Sequence, residues 1–130
     1  MKRIRFLTMS EVLFIYEDQT RRYGGKYGIR DISLLSSALA LPKATFEGKY
    51  LHNTIPEMAS AYAYHISENH PFIDGNKRTA LASALVFLDI NRYTFTSSEE
   101  IVYETMVSVA KGEIRKEQLG AFFKKYSEKE

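Results

Sequence analysis

Apolar residues recur every three or four positions over most of the 130-residue chain, a spacing that predicts helices. A capping box formed by Thr8 and Glu11 should open the first helix, and Gly24 should follow its end. Asp31 is the expected N-cap of a second helix, and Thr54 should open a third with another capping box. The first half of the chain is therefore predicted to hold three helices.

The most apolar run of the sequence, residues 79–90, predicts the central helix. Apolar and small residues fill nearly every position, so this helix should be buried on all sides. A short strand is expected at residues 93–96, then a helix opened by a capping box at Ser97, and a last helix over residues 116–126. The expected fold is mainly α: one domain, residues 1–130, of about six helices around a buried central helix with at most a short β-hairpin or strand.

Three segments between and after the helices carry further expectations. Three glycines within residues 24–28 indicate a flexible loop or small flap, with a plain connector as the alternative. Phe46, Tyr50 and Leu51 lie in an aperiodic stretch and are expected to pin that loop onto the core. The last four residues, 127–130, are expected to fray.

The amino-acid composition mainly serves to exclude classes of function. The absence of cysteine excludes disulfides, thiolate catalysis and cysteine-ligated zinc. The net charge of +2 comes without a basic stripe, so no direct DNA binding is expected. No run is long and apolar enough for a membrane span or a signal-peptide core, which predicts a cytoplasmic protein with no membrane partner. His52 and His65 lack metal-site spacing and are expected to be core or surface histidines.

A polar stretch directly before the central helix, residues 70–78, collects the candidate chemistry in the order H-P-F-I-D-G-N-K-R. If the helix begins near Asn76, its first free N–H groups and its dipole form an anion site. Gly75 lets the backbone approach a ligand closely, and Lys77 and Arg78 add two positive charges. Cations are disfavoured at a helix N-terminus, so this pair indicates a bound anion.

Three other residues of the stretch complete the set. Asp74 is a hard oxygen ligand suited to a magnesium ion shared with phosphate oxygens. His70 can take a proton from an attacking hydroxyl, because imidazole exchanges protons near neutral pH. Phe72 is expected to be the apolar anchor of the loop. A structural histidine, an N-cap aspartate and solvated cations are the alternatives for each taken singly; their order and close spacing favour phosphoryl or nucleotidyl transfer.

The same stretch closely resembles the signature of the Fic/Doc (Fido) superfamily, His-x-Phe-x-Asp/Glu-Gly-Asn-x-Arg, over residues 70–78. Similarity to its death-on-curing (Doc) branch covers nearly the whole chain. It includes the glycine loop after Tyr23, the segment 28–31, the pair Leu34–Leu35 and the helix over residues 80–88.

The resemblance implies a role for each matching position. His70 would be the general base, Asp74 the Mg²⁺ ligand and Phe72 the structural anchor. Four consecutive residues would hold the phosphates of ATP: Gly75, Asn76, Lys77 and Arg78. Lys77 can instead face the acceptor protein.

Two departures favour the Doc branch over the AMP-transferring Fic enzymes, which usually have glycine at the position of Lys77 and a second arginine at that of Leu81. A lysine fills space that glycine leaves near the α-phosphate, and leucine cannot clamp a phosphate. Doc proteins are implied to be toxins of type II toxin–antitoxin systems. They are implied to transfer the γ-phosphate of ATP to elongation factor Tu, which halts translation, and to be neutralised by a small antitoxin.

Two alternatives remain open. One is a Fic-type protein adenylyltransferase, and the other is a catalytically inactive binding module that acts through an antitoxin or target. The presence of both His70 and Asp74 favours an enzyme over the inactive module. An exposed subset of the aromatic residues is expected to line a groove for a partner segment: Tyr23, Tyr27, Phe46 and Tyr50.

Overall fold

The computed structural model describes residues 3–130, and its secondary structure is mainly helical. The elements follow in this order: α1 (Met9–Tyr23), α2 (Ile32–Ala40), β1 (Thr45–Phe46), β2 (Lys49–Tyr50), α3 (Ile55–Asn69), α4 (Asn76–Ile90), β3 (Tyr93–Phe95), α5 (Glu99–Ala110), α6 (Lys116–Tyr126) and β4 (Ser127–Lys129). The mainly α fold of six helices with only short strands is confirmed. Within the described part of the chain, no helix is long and apolar enough to cross a membrane.

Side chains at the N-caps explain where most of the helices begin. Both hydrogen bonds of the Thr8 capping box are present. Asp31 caps α2 and Thr54 caps α3, each by accepting a backbone N–H of the first turn. The expected cap of α5 is wrong by one position, because the hydroxyl of Ser98, and not that of Ser97, accepts the N–H in the first turn.

The core lies around two helices, α3 and α4, instead of one. α3 buries nine residues and packs against α2, α4, α5 and α6, whereas α4 buries seven. The prediction that α4 is buried on all sides is wrong: Val86 is 37% exposed and Leu81 and Leu85 are only partly buried. Leu81 and Leu85 form part of the apolar wall of an open groove. Such a wall is built from the same apolar residues as a buried face, so the sequence alone could not distinguish the two.

The four strands form two separate antiparallel pairs, β1 with β2 and β3 with β4. The expected fraying of residues 127–130 is wrong, because Ser127–Lys129 pairs with Tyr93–Phe95 and the N–H of Glu130 donates to the carbonyl of Arg92 at 2.9 Å. Backbone hydrogen bonds hold this strand in place. Such bonds do not depend on the type of side chain, so the polar sequence of the strand did not indicate them.

The β1–β2 hairpin also differs from expectation. Phe46 is 67% exposed and Leu51 is 56% exposed, so the prediction that they pin the loop to the core is wrong. Tyr50 is also exposed but contacts the ring of Phe6, with the ring centroids 5.8 Å apart. The buried side chain just after the hairpin is His52.

His52, which is buried, forms a cluster with His65 and Lys116, which are partly buried, and Lys116 is the first residue of α6. The Nζ of Lys116 lies 3.4 Å from Nε2 of His65. Burial, together with the Lys116 cation and His52, lowers the pKa of His65 to about 4. Burial and Lys116 also lower the pKa of His52, while the carboxylate of Glu57 acts in the opposite direction. Both rings are therefore neutral in the folded protein near pH 7.

The free energy of unfolding should fall as the pH drops from about 6.5 to about 4. An unfolded histidine takes up a proton in this range while the folded His65 resists it, so acid favours the unfolded chain. The expected loss is on the order of 1 kcal/mol, a figure reduced for partial exposure to water. Urea unfolding at a series of pH values measures it.

A matched variant isolates the contribution of His65. His65→Gln cannot titrate, so its stability should vary less over the same pH range than that of the wild type, with the remainder due to His52 and to carboxylates such as Glu11 whose pKa is lowered in the fold. Identical pH curves for the two proteins would assign the acid sensitivity to other groups.

Candidate functional site

His70 lies at the end of α3 in an unusual backbone conformation. Its φ of 52° and ψ of 53° are left-handed, and its N–H donates to the carbonyl of Ile66 at 3.2 Å. Glycine or asparagine usually occupies such a helix end, because other side chains are strained there. A strained residue with an exposed imidazole is characteristic of functional sites.

Asn76, the first residue of α4, closes the loop that begins at His70. Its side chain is buried, and its Oδ1 accepts the N–H of Phe72 at 2.9 Å. Its Nδ2 donates to the carbonyl of Phe72 at 2.9 Å and lies 3.1 Å from Nδ1 of His70. The two bonds to Phe72 fix the amide orientation, so an N–H points at Nδ1. The neutral imidazole then carries its proton on Nε2.

Phe72 is fully buried and stacks on Tyr16 of α1, with ring centroids 3.8 Å apart. The hydroxyl of Tyr16 donates to the carbonyl of Gly28 at 3.0 Å and accepts the N–H of Gly28 at 2.8 Å. An isolated antiparallel bridge pairs Ile29 with Phe72. The C-terminal end of the glycine-rich segment is therefore held beside the motif loop. If the segment is a flap, as the sequence allows, it is attached to the core at this end.

The N-terminus of α4 lacks a capping side chain. Its N-cap residue is Gly75, which has a φ of 79° and makes no side-chain hydrogen bond to the helix. By contrast, hydroxyl or carboxylate groups cap α1, α2, α3 and α5. Lys77, which is exposed, and Arg78, which is partly buried, belong to this first turn. Free N–H groups and two cations thus meet at the point where an anion was predicted.

Asp74 lies immediately before this helix start and is exposed. Its Oδ1 accepts the N–H of Gly75 at 2.8 Å, and its Oδ2 accepts the N–H of Lys26 at 3.3 Å. Among residues 3–130, no group of three or more carboxylate, histidine or cysteine side chains could hold a metal. One open carboxylate still fits Mg²⁺, which commonly takes one or two carboxylates and completes its shell with phosphate and water.

Arg78 contacts the N-terminal end of the glycine-rich segment. Its Nη2 donates to the carbonyl of Gly24 at 3.0 Å, and its guanidinium lies over the ring of Tyr23, 5.7 Å from the centroid. Its Nε is buried and has no hydrogen-bond partner in the described residues. Asp74 and Arg78, both predicted ligand contacts, are thus bonded to the backbone of residues 24–26.

A groove of about 830 Å³ opens beside Lys77 and Arg78. It lies between α1, α4 and α5, and its apolar wall includes these residues: Leu81, Leu85, Val102, Tyr103 and Met106. The four aromatic residues expected at a partner groove are all exposed, but of these Tyr23 alone lines it.

Sequence reasoning assigned no role to Arg30, which contacts the motif loop. Its Nε donates to the carbonyl of His70 at 2.8 Å, and its Nη2 donates to the carbonyl of Asn69 at 3.0 Å. The sequence signals are its place just before the N-cap Asp31 and within the segment 28–31 that resembles the Doc branch. The role of Tyr16 was hidden for a similar reason, because a buried helical tyrosine looks like an ordinary core residue.

Comparisons with known proteins show the family to which the chain is similar. Residues 6–88 match the sequence profile of the family described as Fic/DOC. A protein of Escherichia phage P1 named "Protein kinase doc" is 30% identical over 111 residues, which cover 85% of this chain and 86% of that protein. A Mycolicibacterium smegmatis protein named "Toxin Doc" is 42% identical over 69 residues, which cover 53% of this chain and 53% of that protein. The chain therefore spans about half the length of the latter relative.

Gly25→Ala should displace Asp74, whereas Gly24→Ala should not. Both glycines have positive φ, so each substitution introduces backbone strain of about 1 to 3 kcal/mol. A Cβ at Gly25 would also lie 2.7 Å from Oδ2 of Asp74, while one at Gly24 meets nothing within 4 Å. Urea unfolding and the carboxyl ¹³C signal of Asp74 test the difference. Equal losses of stability with an unmoved Asp74 signal would contradict the contact.

Proposed function

The chain belongs to the Fic/DOC family, and we propose that it is a Doc-type toxin that transfers the γ-phosphate of ATP to a protein hydroxyl. One observation carries the proposal. A proton acceptor, His70, is linked through Asn76 to a helix start that lacks a capping side chain and bears two cations. Base and anion site are therefore held together by a single buried amide. The name of one relative, a toxin, supports the toxin role, and the name of the other, a protein kinase, supports phosphate transfer.

The reaction needs one proton acceptor and one phosphate clamp. The hydroxyl oxygen of the acceptor protein bonds to the γ-phosphorus, and the bond to the oxygen that bridges the β- and γ-phosphates breaks. ADP leaves with that bridging oxygen, and the hydroxyl proton passes to His70. Catalysis of this kind depends mainly on positioning and on stabilising negative charge.

The hydrogen bond from Asn76 decides how His70 receives the proton. Nδ1 faces the amide N–H of Asn76 at 3.1 Å, so in the neutral ring it is the nitrogen without a proton. The incoming hydroxyl must therefore displace this contact, or the ring must take the other tautomer when substrate binds. Such rearrangement is common, because catalytic hydrogen bonds often form only in the substrate complex.

The phosphates would lie against the first turn of α4. The backbone N–H groups of Asn76 and Lys77 are available there, because the first turn of a helix has no internal acceptor for them and no side chain caps α4. Gly75 adds close backbone approach, and the side chains of Lys77 and Arg78 add charge. Arg78 must exchange its bond with the carbonyl of Gly24 for one with phosphate.

Asp74 would hold Mg²⁺, which neutralises phosphate charge when bound. Its Oδ2 makes only a long hydrogen bond to Lys26, so this oxygen can be released to a stronger ligand at small cost.

Transfer of the γ-phosphate is favoured over AMP transfer by two residues. Lys77 is exposed at the helix start, so its side chain occupies the approach that a glycine would leave open. Leu81, one turn further along α4, faces the apolar groove and offers no phosphate contact. The groove next to them is large enough for the nucleoside portion of ATP.

The proposed acceptor is elongation factor Tu, whose modification would stop translation, and the proposed regulator is a small antitoxin. Both follow from the Doc branch of the family. The exposed aromatic residues near the site, Tyr23 and Tyr27, are suited to a protein contact since they are 62% and 55% exposed.

Labelled ATP separates the two transfer reactions. Incubation with elongation factor Tu and ATP labelled at the γ-phosphate should label the factor, whereas ATP labelled at the α-phosphate should not. The protein is separated by electrophoresis and its label is counted. Label from the α position alone would overturn the kinase proposal in favour of AMP transfer.

His70→Ala and Asp74→Ala should each lower γ-phosphate transfer by about 100-fold or more. Both side chains are exposed, so the fold should survive, as circular dichroism can verify. Asp89→Ala is a matched control, because Asp89 is an exposed aspartate near the other end of α4. If cells that express either site variant at the wild-type level still stop growing, that result would favour the hypothesis of an inactive binding module over an enzyme.

A further inference from the structure

Arg30 and its neighbour Asp31 bond to three successive carbonyl groups at the end of α3. The side chain of Arg30 donates to Asn69 and His70, through Nη2 at 3.0 Å and Nε at 2.8 Å. The backbone N–H groups of Arg30 and Asp31 both donate to the carbonyl of Pro71, at 2.7 and 3.0 Å. A single dipeptide thus holds the backbone on both sides of the proposed base.

The chemistry of a helix end explains why an arginine suits this place. The last carbonyls of a helix have no partner within it, and they form the negative end of the helix dipole. A guanidinium group is planar and carries several donors in a rigid fork, so it can bond two adjacent carbonyls and neutralise that end. Lysine has the charge but lacks the fork.

The conformation of His70 makes this restraint necessary. A histidine in the left-handed region is strained, and the strain favours other backbone conformations unless neighbours oppose them. Asn76 bonds the backbone of Phe72, but of His70 itself it contacts only the imidazole, and the transfer reaction proposed above requires that contact to change. The bonds from Arg30 involve only the backbone, so they remain while the ring rearranges.

Arg30 is itself held in place from both directions. Ile29 forms the bridge with Phe72, and Asp31 caps α2 through its bonds to Ser33 and Leu34. The segment is therefore as fixed as the start of α2. A further bond, from Nδ2 of Asn69 to the carbonyl of Leu34 at 2.9 Å, ties α2 to the end of α3.

We propose that Arg30 is a positioning residue, which acts through the backbone of His70 to keep the imidazole aimed at the acceptor hydroxyl. This role rests on the proposed phosphate transfer. Arg30 would contact neither ATP nor the acceptor, so its loss should slow the chemical step and leave nucleotide binding intact.

Arg30→Lys tests the fork while it retains the charge. We expect kcat for γ-phosphate transfer to fall by about 10-fold or more, because small misplacement of a reacting group is costly. The KM for ATP should change by less than about twofold, as expected when only transition-state interactions are lost. Arg21→Lys is the control, because Arg21 is exposed and forms only ion pairs within α1. It should leave kcat unchanged.

A second measurement needs no activity. In nucleotide-free protein, the backbone and imidazole NMR signals of His70 should shift or broaden in Arg30→Lys, while those of His52 and His65 stay in place. Unmoved His70 signals, or an unchanged kcat in an active enzyme, would overturn the role of Arg30. If the wild type transfers no phosphate, the proposed function fails, and the NMR comparison still reports whether Arg30 holds His70.

Discussion

The amide of Asn76 is the bond on which the rest of the site depends. It satisfies both backbone groups of Phe72 and also reaches His70, so it closes a short loop between the end of α3 and the start of α4. The amide is buried, and an unpaired polar group there would be costly. An aspartate would lack the two N–H donors, so asparagine is required by the bonding pattern.

Closing this loop brings two helix ends of opposite polarity together. The end of α3 is negative, and Arg30 supplies the matching cation. The start of α4 is positive and carries Lys77 and Arg78, so its charge is increased where a capping group would reduce it. An anion that binds the folded protein at this point relieves that repulsion and so stabilises the fold.

The sequence predicted the helices and the clustering of residues 70–78 because both depend on residues close together in the chain. The capping box at Thr8 forms as expected, Thr54 caps α3 through its hydroxyl alone, without the reciprocal bond of a capping box, and the residues of the 70–78 stretch lie around one loop. Contacts between distant segments were not predictable from periodicity. The bonds of Arg30 to α3, the pairing of β4 with β3 and the exposed wall of α4 all depend on tertiary structure, which local patterns do not encode.

The glycine-rich segment and the site share the same charged groups. Asp74 and Arg78 are bonded to the backbone of Lys26 and Gly24, so a ligand that claims these side chains competes with the segment for them. Part of the free energy of binding then offsets the loss of the hydrogen bonds to residues 24–26. The measured affinity is therefore lower than the ligand contacts alone would give. Gly28 stays hydrogen-bonded to Tyr16, so ligand binding would free residues 24–26 and leave the C-terminal end of the segment in place.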